Sequence, residues 1–213
     1  MVTEYRINVS RLDAVFPLAW RQKMSDDILR AVAGITSGFE IYWSHLGHAF
    51  GRHEALPKGW TILDDLAAPN VAVLDWFLEQ GLDKDVGIAD IPCGLGNLMV
   101  CLRRLGFCNV WGYDNWAQIE RERAVAFLQQ YQALGSLVDL PTIIAKAIDI
   151  LCVIGLPFEW LLPDIQPVID KAQYVLVDTG YLPKEPLVGF EEIGRYPGLL
   201  AVYRAKGNAC SSR

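Results

Sequence analysis

The residues with the most chemical meaning sit close together. They run Gly87-Ile-Ala-Asp90-Ile-Pro92-Cys93-Gly94-Leu95-Gly96-Asn97-Leu-Met99, followed by Asn109-Val-Trp-Gly-Tyr-Asp114. A strand ending at Asp90, a turn with two glycines and a helix starting near Asn97 would aim free backbone N–H groups at a surface that no Cβ obstructs. A ligand can lie close to the chain there. Twenty-four residues after Asp90 the next strand ends in a second acid, Asp114. In a doubly wound sheet that position faces the crevice at the carboxyl ends of the strands, where a carboxylate can accept hydrogen bonds from both ribose hydroxyls. Dinucleotide enzymes want G-x-G-x-x-G/A, and here the third position is Met99, which would crowd the helix–strand contact. Asp90 would also repel a pyrophosphate. It suits a cationic or zwitterionic ligand.

The segment Asp90-Ile-Pro-Cys-Gly-Leu-Gly-Asn97 resembles the first motif of the class I S-adenosylmethionine (SAM) dependent methyltransferases, (D/E)-x-G-C-G-x-G. Asp114 is similar to that family's acidic residue at the end of the second strand. The resemblance extends over about residues 86–204, with Pro92 where the family usually has Gly. It implies SAM as cofactor, with Gly94, Leu95 and Gly96 against the methionine moiety and ribose and Asp90 near the amino group. Asp114 would hold the ribose, Asn115 and Trp116 would flank the adenine, and Asp139 is a candidate for the adenine amino group. Pro92, Cys93, Asn97 and Gly155 complete the expected cofactor set.

The methyl acceptor is less legible. After the fourth strand, where the family turns a loop toward the acceptor, the chain reads Ile154-Gly155-Leu156-Pro157-Phe158-Glu159-Trp160. Amide and nucleobase methyltransferases of the family carry Asn/Asp-Pro-Pro-Tyr/Phe there, and the polar side chain that would hold a reacting NH₂ is absent. Phe158 and Trp160 read first as packing of the following helix. His45, His48 and His53 fall within nine residues, beside Tyr42, Trp43 and Glu40. They fit a general base near neutral pH, a three-ligand metal site, or ordinary histidines. His45, His48 and Tyr42 are the catalytic candidates, and no metal is assigned. Tyr42, Trp43 and Trp60 line either a substrate pocket or a core. The expected function is methylation of a small molecule at O, N or C. The alternatives are an enzyme that consumes SAM without methylating, as a lyase or cyclase, and a degenerate SAM-binding scaffold.

The elements that must position these residues follow from composition and pattern. The chain has 213 residues, is 52% hydrophobic and carries a formal charge of −6, with a pI near 5.1. Such apolar content excludes disorder, and the acidic balance disfavours a duplex-DNA binder. Residues 124–138 are free of charge but too short and too rich in Gln for a bilayer helix. No secretory signal opens the sequence, and five cysteines with no C-x-x-C pair read as reduced thiols. A cytoplasmic location is expected. So are a small-molecule partner, no nucleic acid or membrane, and a homodimer as the possible assembly.

Texture changes near residue 85. Before it, helical spacing predicts helices near 25–34, 39–50 and 69–80, the last stopped by Gly81 and buried through Val71, Leu74, Leu78 and Leu82. After it, strands are expected at 86–91, 109–113, 148–154, 173–178 and 198–204, with 189–195 pairing the last. Helices are expected at 97–105, 116–131 and 159–171, the third broken or short because of Pro163 and Pro167. Between Leu134 and Ile148 the third strand either ends near Asp139 or is Thr142–Ala145. The pattern is α/β, and the resemblance implies a doubly wound Rossmann-like seven-stranded sheet with an N-terminal helical cap. The expected division is a cap or lid at 1–85, a SAM-binding domain at 86–207 and a disordered tail at 208–213.

Overall fold

The computed structural model describes residues 2–8, 10–12, 68–115, 118–155, 158–182 and 186–207. The strands β2 (Gly87–Asp90) and β4 (Ile150–Val153) are buried at every position, and β5 (Tyr174–Asp178) at all but its first. Strands apolar on both faces belong at the centre of a parallel sheet covered by helices on both sides. That is where they lie. With β1 (Thr3–Glu4), β3 (Asn109–Gly112), β6 (Phe190–Tyr196) and β7 (Leu200–Ala205), they form one sheet in the order β1-β6-β7-β5-β4-β2-β3. Strands β2 to β5 pair in parallel, whereas β7 runs antiparallel to both β5 and β6.

The chain leaves β2 for β3 on one side, then crosses back to β4 on the other. A crevice opens at the carboxyl ends where the order reverses. The register sets its depth: Asp90 pairs with Gly112 on one flank and Cys152 on the other, and Cys152 pairs with Leu176.

Two helical layers cover the sheet. Helices α1 (Ala68–Gln80), α2 (Asn97–Arg104) and α3 (Gln118–Gln130) share one core with Ile88, Cys152, Leu176 and Val202. Helices α4 (Leu140–Ala145) and α5 (Phe158–Ile169) pack on the other face against Ala89, Leu151, Val175 and Val177.

The core does not divide at residue 85. Helix α1 buries seven residues in a row, Val71 to Phe77, instead of a single stripe. Trp76 stacks edge-on with Phe77 and with Tyr174 of β5. Asp75 is fully buried, and it accepts hydrogen bonds from the Tyr196 hydroxyl (3.1 Å) and the Asn8 backbone (3.2 Å). Residues 2–8 and α1, expected in a cap, are therefore part of the sheet domain. The expected helices at 25–34 and 39–50, and the tail at 208–213, lie outside the described residues.

The third strand is reduced to one parallel bridge between Gly112 and Leu137, extended by a hydrogen bond from the Val138 N–H to the Gly112 carbonyl at 3.1 Å. Thr142–Ala145 is not a strand but belongs to α4, whose first turn Asp139 caps by accepting from the Thr142 N–H at 2.8 Å. The seventh strand of the sheet is β1, at the opposite edge.

Helix α5 also departs from expectation, running twelve residues through Pro163 and Pro167. Both prolines, four apart, face solvent, where a missing ladder bond leaves its carbonyl to water. Ile165, Val168 and Ile169 anchor the buried face. Cys93, Cys101 and Cys152 are buried free thiols and Cys108 is exposed. No described helix is long and apolar enough to cross a membrane.

Candidate functional site

The glycine turn is built as its sequence suggests. The Gly96 N–H bonds to the Cys93 carbonyl (2.8 Å), and the Cys93 N–H bonds to the Tyr113 carbonyl (3.0 Å), which ties the turn to the end of β3. Gly94 and Gly96 have φ of +53° and +90°, in the left-handed region that glycine tolerates. Their roles differ. A Cβ on Gly96 would lie 2.6 Å from Leu128 Cδ2 and 2.9 Å from Met99 Cε, so Gly96 lets α2 close onto α3. A Cβ on Gly94 would meet nothing within 4 Å. The chain is bare and open there, as a surface meant for a ligand must be.

Asp114 turns back to this opening. Its Oδ2 accepts the Gly94 N–H at 2.8 Å, so the two halves of the sequence signal meet in one crevice. Burial raises the Asp114 pKa, against the opposing pull of the Gly94 and Asn115 backbone N–H groups. Asp90 is 2% exposed, and its pKa lies well above the usual carboxylate range, first from burial and then from the charge of Asp114. Two carboxylates that resist ionising together favour a cation between them. They disfavour phosphate.

The other expected cofactor residues spread around this centre. Pro92 follows a cis Ile91–Pro92 peptide, Cys93 is buried under the turn, and Leu95 is half-buried beside the α1 and α2 core. Asn97 opens α2. Asn115 is exposed just past Asp114, and Gly155 lies after β4 with φ of +94°. Asp139 stands two residues past Leu137, the partner of Gly112, level with Asp114 across the sheet edge. Its carboxylate already caps α4, and the Thr142 bond holds its pKa below the usual value. Trp116, His45, His48, His53 and Tyr42 lie outside the described residues. Among the described residues no group of three or more His, Cys, Asp or Glu is placed to hold a metal ion.

No protein-family model matches the sequence, and no curated protein does. Among solved structures, the chain is similar to cofactor-bound Rv0187 from MTB, with 14% identity, a TM-score of 0.50, and coverage of 85% of this chain and 95% of that one. It is also similar to magnesium protoporphyrin IX methyltransferase (ChlM) from Synechocystis PCC 6803, which has SAM bound. The identity is 14% and the TM-score 0.47, over 77% of this chain and 91% of that one. A third is TrmK from M. capricolum in complex with S-adenosyl-homocysteine, at 13% identity and TM-score 0.45, over 63% and 68% of the two chains. At such identities the likeness is one of fold. The strand order, with β7 antiparallel between β5 and β6, decides which fold. The chain has the class I methyltransferase fold.

Within that fold one acid stands out that the sequence reading passed over. Asp178 ends β5 as Asp90 ends β2, and it is 3% exposed. Its Oδ1 accepts the Gly180 N–H at 2.8 Å, and the Gly155 backbone N–H also acts on the carboxylate. Burial outweighs both and pushes its pKa up to about 6. The available signal was the pattern itself, an apolar strand closed by aspartate, in Tyr174-Val-Leu-Val-Asp178 as in Gly87-Ile-Ala-Asp90.

Proposed function

We propose that the protein is a SAM-dependent methyltransferase acting on a small molecule. The observation that carries the cofactor reading is the Asp114–Gly94 contact, which sets an acid and a bare glycine turn over the switch point of a class I methyltransferase sheet. The residues present suit SAM: Asp114 has the acceptor oxygens a ribose diol needs, and Asp90, buried beside the turn, is an acid whose ionised form a cationic ligand would stabilise. Gly94 leaves the backbone accessible, with Asn115 at the rim, and Gly96 lets α2 pack closely behind it.

The bound cofactor supplies a methyl group activated on a positively charged sulfur. The chain's own contribution is then chiefly alignment of an acceptor behind that carbon, since in-line transfer gains most from proximity. Asp90 and Asp114 also make the cleft receptive to positive charge. A small acceptor is supported by two features. The loop after β4 begins Ile154-Gly155, without the polar side chain that grips a nucleobase amine. The acids at the carboxyl edge of the sheet, Asp90, Asp114 and Asp178, offer a phosphate backbone no positive charge to neutralise it. His45, His48 and Tyr42 remain the proposed general-base candidates from outside the described residues.

The test is to incubate the protein with SAM and a metabolite panel and to follow S-adenosylhomocysteine by mass spectrometry. Methyl transfer requires its release only when a second substrate is present. Turnover of SAM alone would establish the lyase or cyclase reading in its place.

A further inference from the structure

Asp178 belongs to the acceptor side of the crevice. The pairing Asp90–Cys152–Leu176 runs straight across β2, β4 and β5, so these three side chains lie on one sheet face. Asp178, two residues beyond Leu176, is on that face too. It stands two strands and one pleat from Asp90, about 12 Å between Cα atoms at ordinary sheet spacings. The glycine turn and Asp114 occupy the β2–β3 side of the switch point, and Asp178 occupies the β4–β5 side next to Gly155.

Its chemistry exceeds what a turn requires. The bond from the Gly180 N–H to Oδ1 is a local side-chain turn that asparagine would form equally well, without burying an ionisable group. The second oxygen, Oδ2, is buried and makes no full hydrogen bond among the described residues, so the Gly155 N–H lowers the carboxylate pKa without closing on that oxygen. A buried acceptor without a donor destabilises a fold, so Oδ2 calls for a donor from outside the described chain, a role a ligand N–H or O–H can fill.

We infer that Asp178 Oδ2 is the anchor for the methyl acceptor, receiving a hydrogen bond from its N–H or O–H group. The substrate is therefore an amine or a hydroxyl compound, and carboxylates are rejected. This rests on the cofactor reading above. A site built around an acceptor oxygen discriminates strongly against analogues that bring no donor, because the buried oxygen is then left unpaired.

The ionised form is the stronger acceptor, so binding should strengthen as pH rises through about 6. Other titratable groups lie on the same sheet face or in the helical layer packed on it, none of them close enough to shift Asp178 by its charge. They are Asp90 on β2 and Cys152 on β4, Tyr196 on β6, and Asp75 of α1 with its ion-pair partner Arg11. On β7 the residue opposite is Leu200, which does not titrate. The Asp178→Asn variant isolates the part of the pH response that belongs to Asp178.

The experiment saturates the protein with S-adenosylhomocysteine and titrates it by calorimetry with a panel of small amines, phenols, alcohols and carboxylic acids from pH 5 to 8. The expected result is binding confined to amines or hydroxyl compounds, tighter above pH 6. In Asp178→Asn that binding falls at least about tenfold and loses the pH response, while S-adenosylhomocysteine affinity is unchanged and shows that the variant is folded. Preference for carboxylates, no amine or hydroxyl binder, or equal binding by Asp178→Asn overturns the proposal. Failure of the wild type to bind S-adenosylhomocysteine overturns the cofactor reading beneath it.

Discussion

Three strands deliver an aspartate at or just past their carboxyl ends, and the environment gives each a different task. Asp90 is buried beside a second acid and resists ionising, Asp114 is tied to the Gly94 N–H, and Asp178 holds its own turn with one oxygen to spare. Asp178 carries a stability consequence with a definite sign. Its folded pKa, about 6, exceeds the ordinary 3.8, so its neutral form is favoured by folding. That contribution is complete below about pH 3.8 and is lost as pH rises through 6. Asp178→Asn keeps an oxygen for Gly180 and cannot ionise. It should match the wild type near pH 4 and be more stable at pH 8 by roughly 1–3 kcal/mol. Urea unfolding at the two pH values checks this, and a stability difference independent of pH would contradict it. The first two acids were legible in the sequence because a glycine turn stands between them. Asp178 was not, because Thr179-Gly-Tyr resembles an ordinary loop and the burial that changes its chemistry comes from strands distant in sequence.

At the scale of elements, the central strands were readable because β2, β4 and β5 are short apolar runs bounded by glycine, acid or turn residues. Helix α2 was readable from Gly96 and the apolar Leu98 to Leu102 behind it. Three features were hidden for tertiary reasons. The third strand survives only as the Leu137 bridge, too short to leave a periodic pattern. Helix α5 tolerates two prolines because both face water. Helix α1 takes a buried aspartate because Tyr196, Asn8 and Arg11, far away in sequence, supply its partners. A sensitive joint beside the site is Gly96, which is in the left-handed region and leaves no room for a Cβ beside Leu128 and Met99. Gly96→Ala should cost roughly 2–4 kcal/mol, combining backbone strain with overpacking. Gly94→Ala meets open space and should cost only the backbone part, about 1–2 kcal/mol. Equal losses by chemical denaturation would show that Gly96 is not the packing joint.

At the scale of the molecule, the sheet domain also takes in β1 and α1 from the range expected to form a cap. The doubly wound sheet was legible because alternating apolar strands and helices admit few topologies. The antiparallel β7 was not, since direction depends on how the last hairpin folds back beside β5. The net charge of −6, which as a total only disfavours duplex DNA, gains meaning from three acids gathered along one edge of the sheet. A cationic ligand stabilises the ionised forms of Asp90 and Asp114, so binding should release protons and strengthen with rising pH. The most direct measurement is a calorimetric titration of the wild type and Asp114→Ala with SAM. A saturable one-site isotherm is predicted for the wild type, weakened at least about tenfold, or 1.4 kcal/mol, in the variant. No binding to the wild type, or equal affinity in Asp114→Ala, would contradict the assignment of this crevice to SAM.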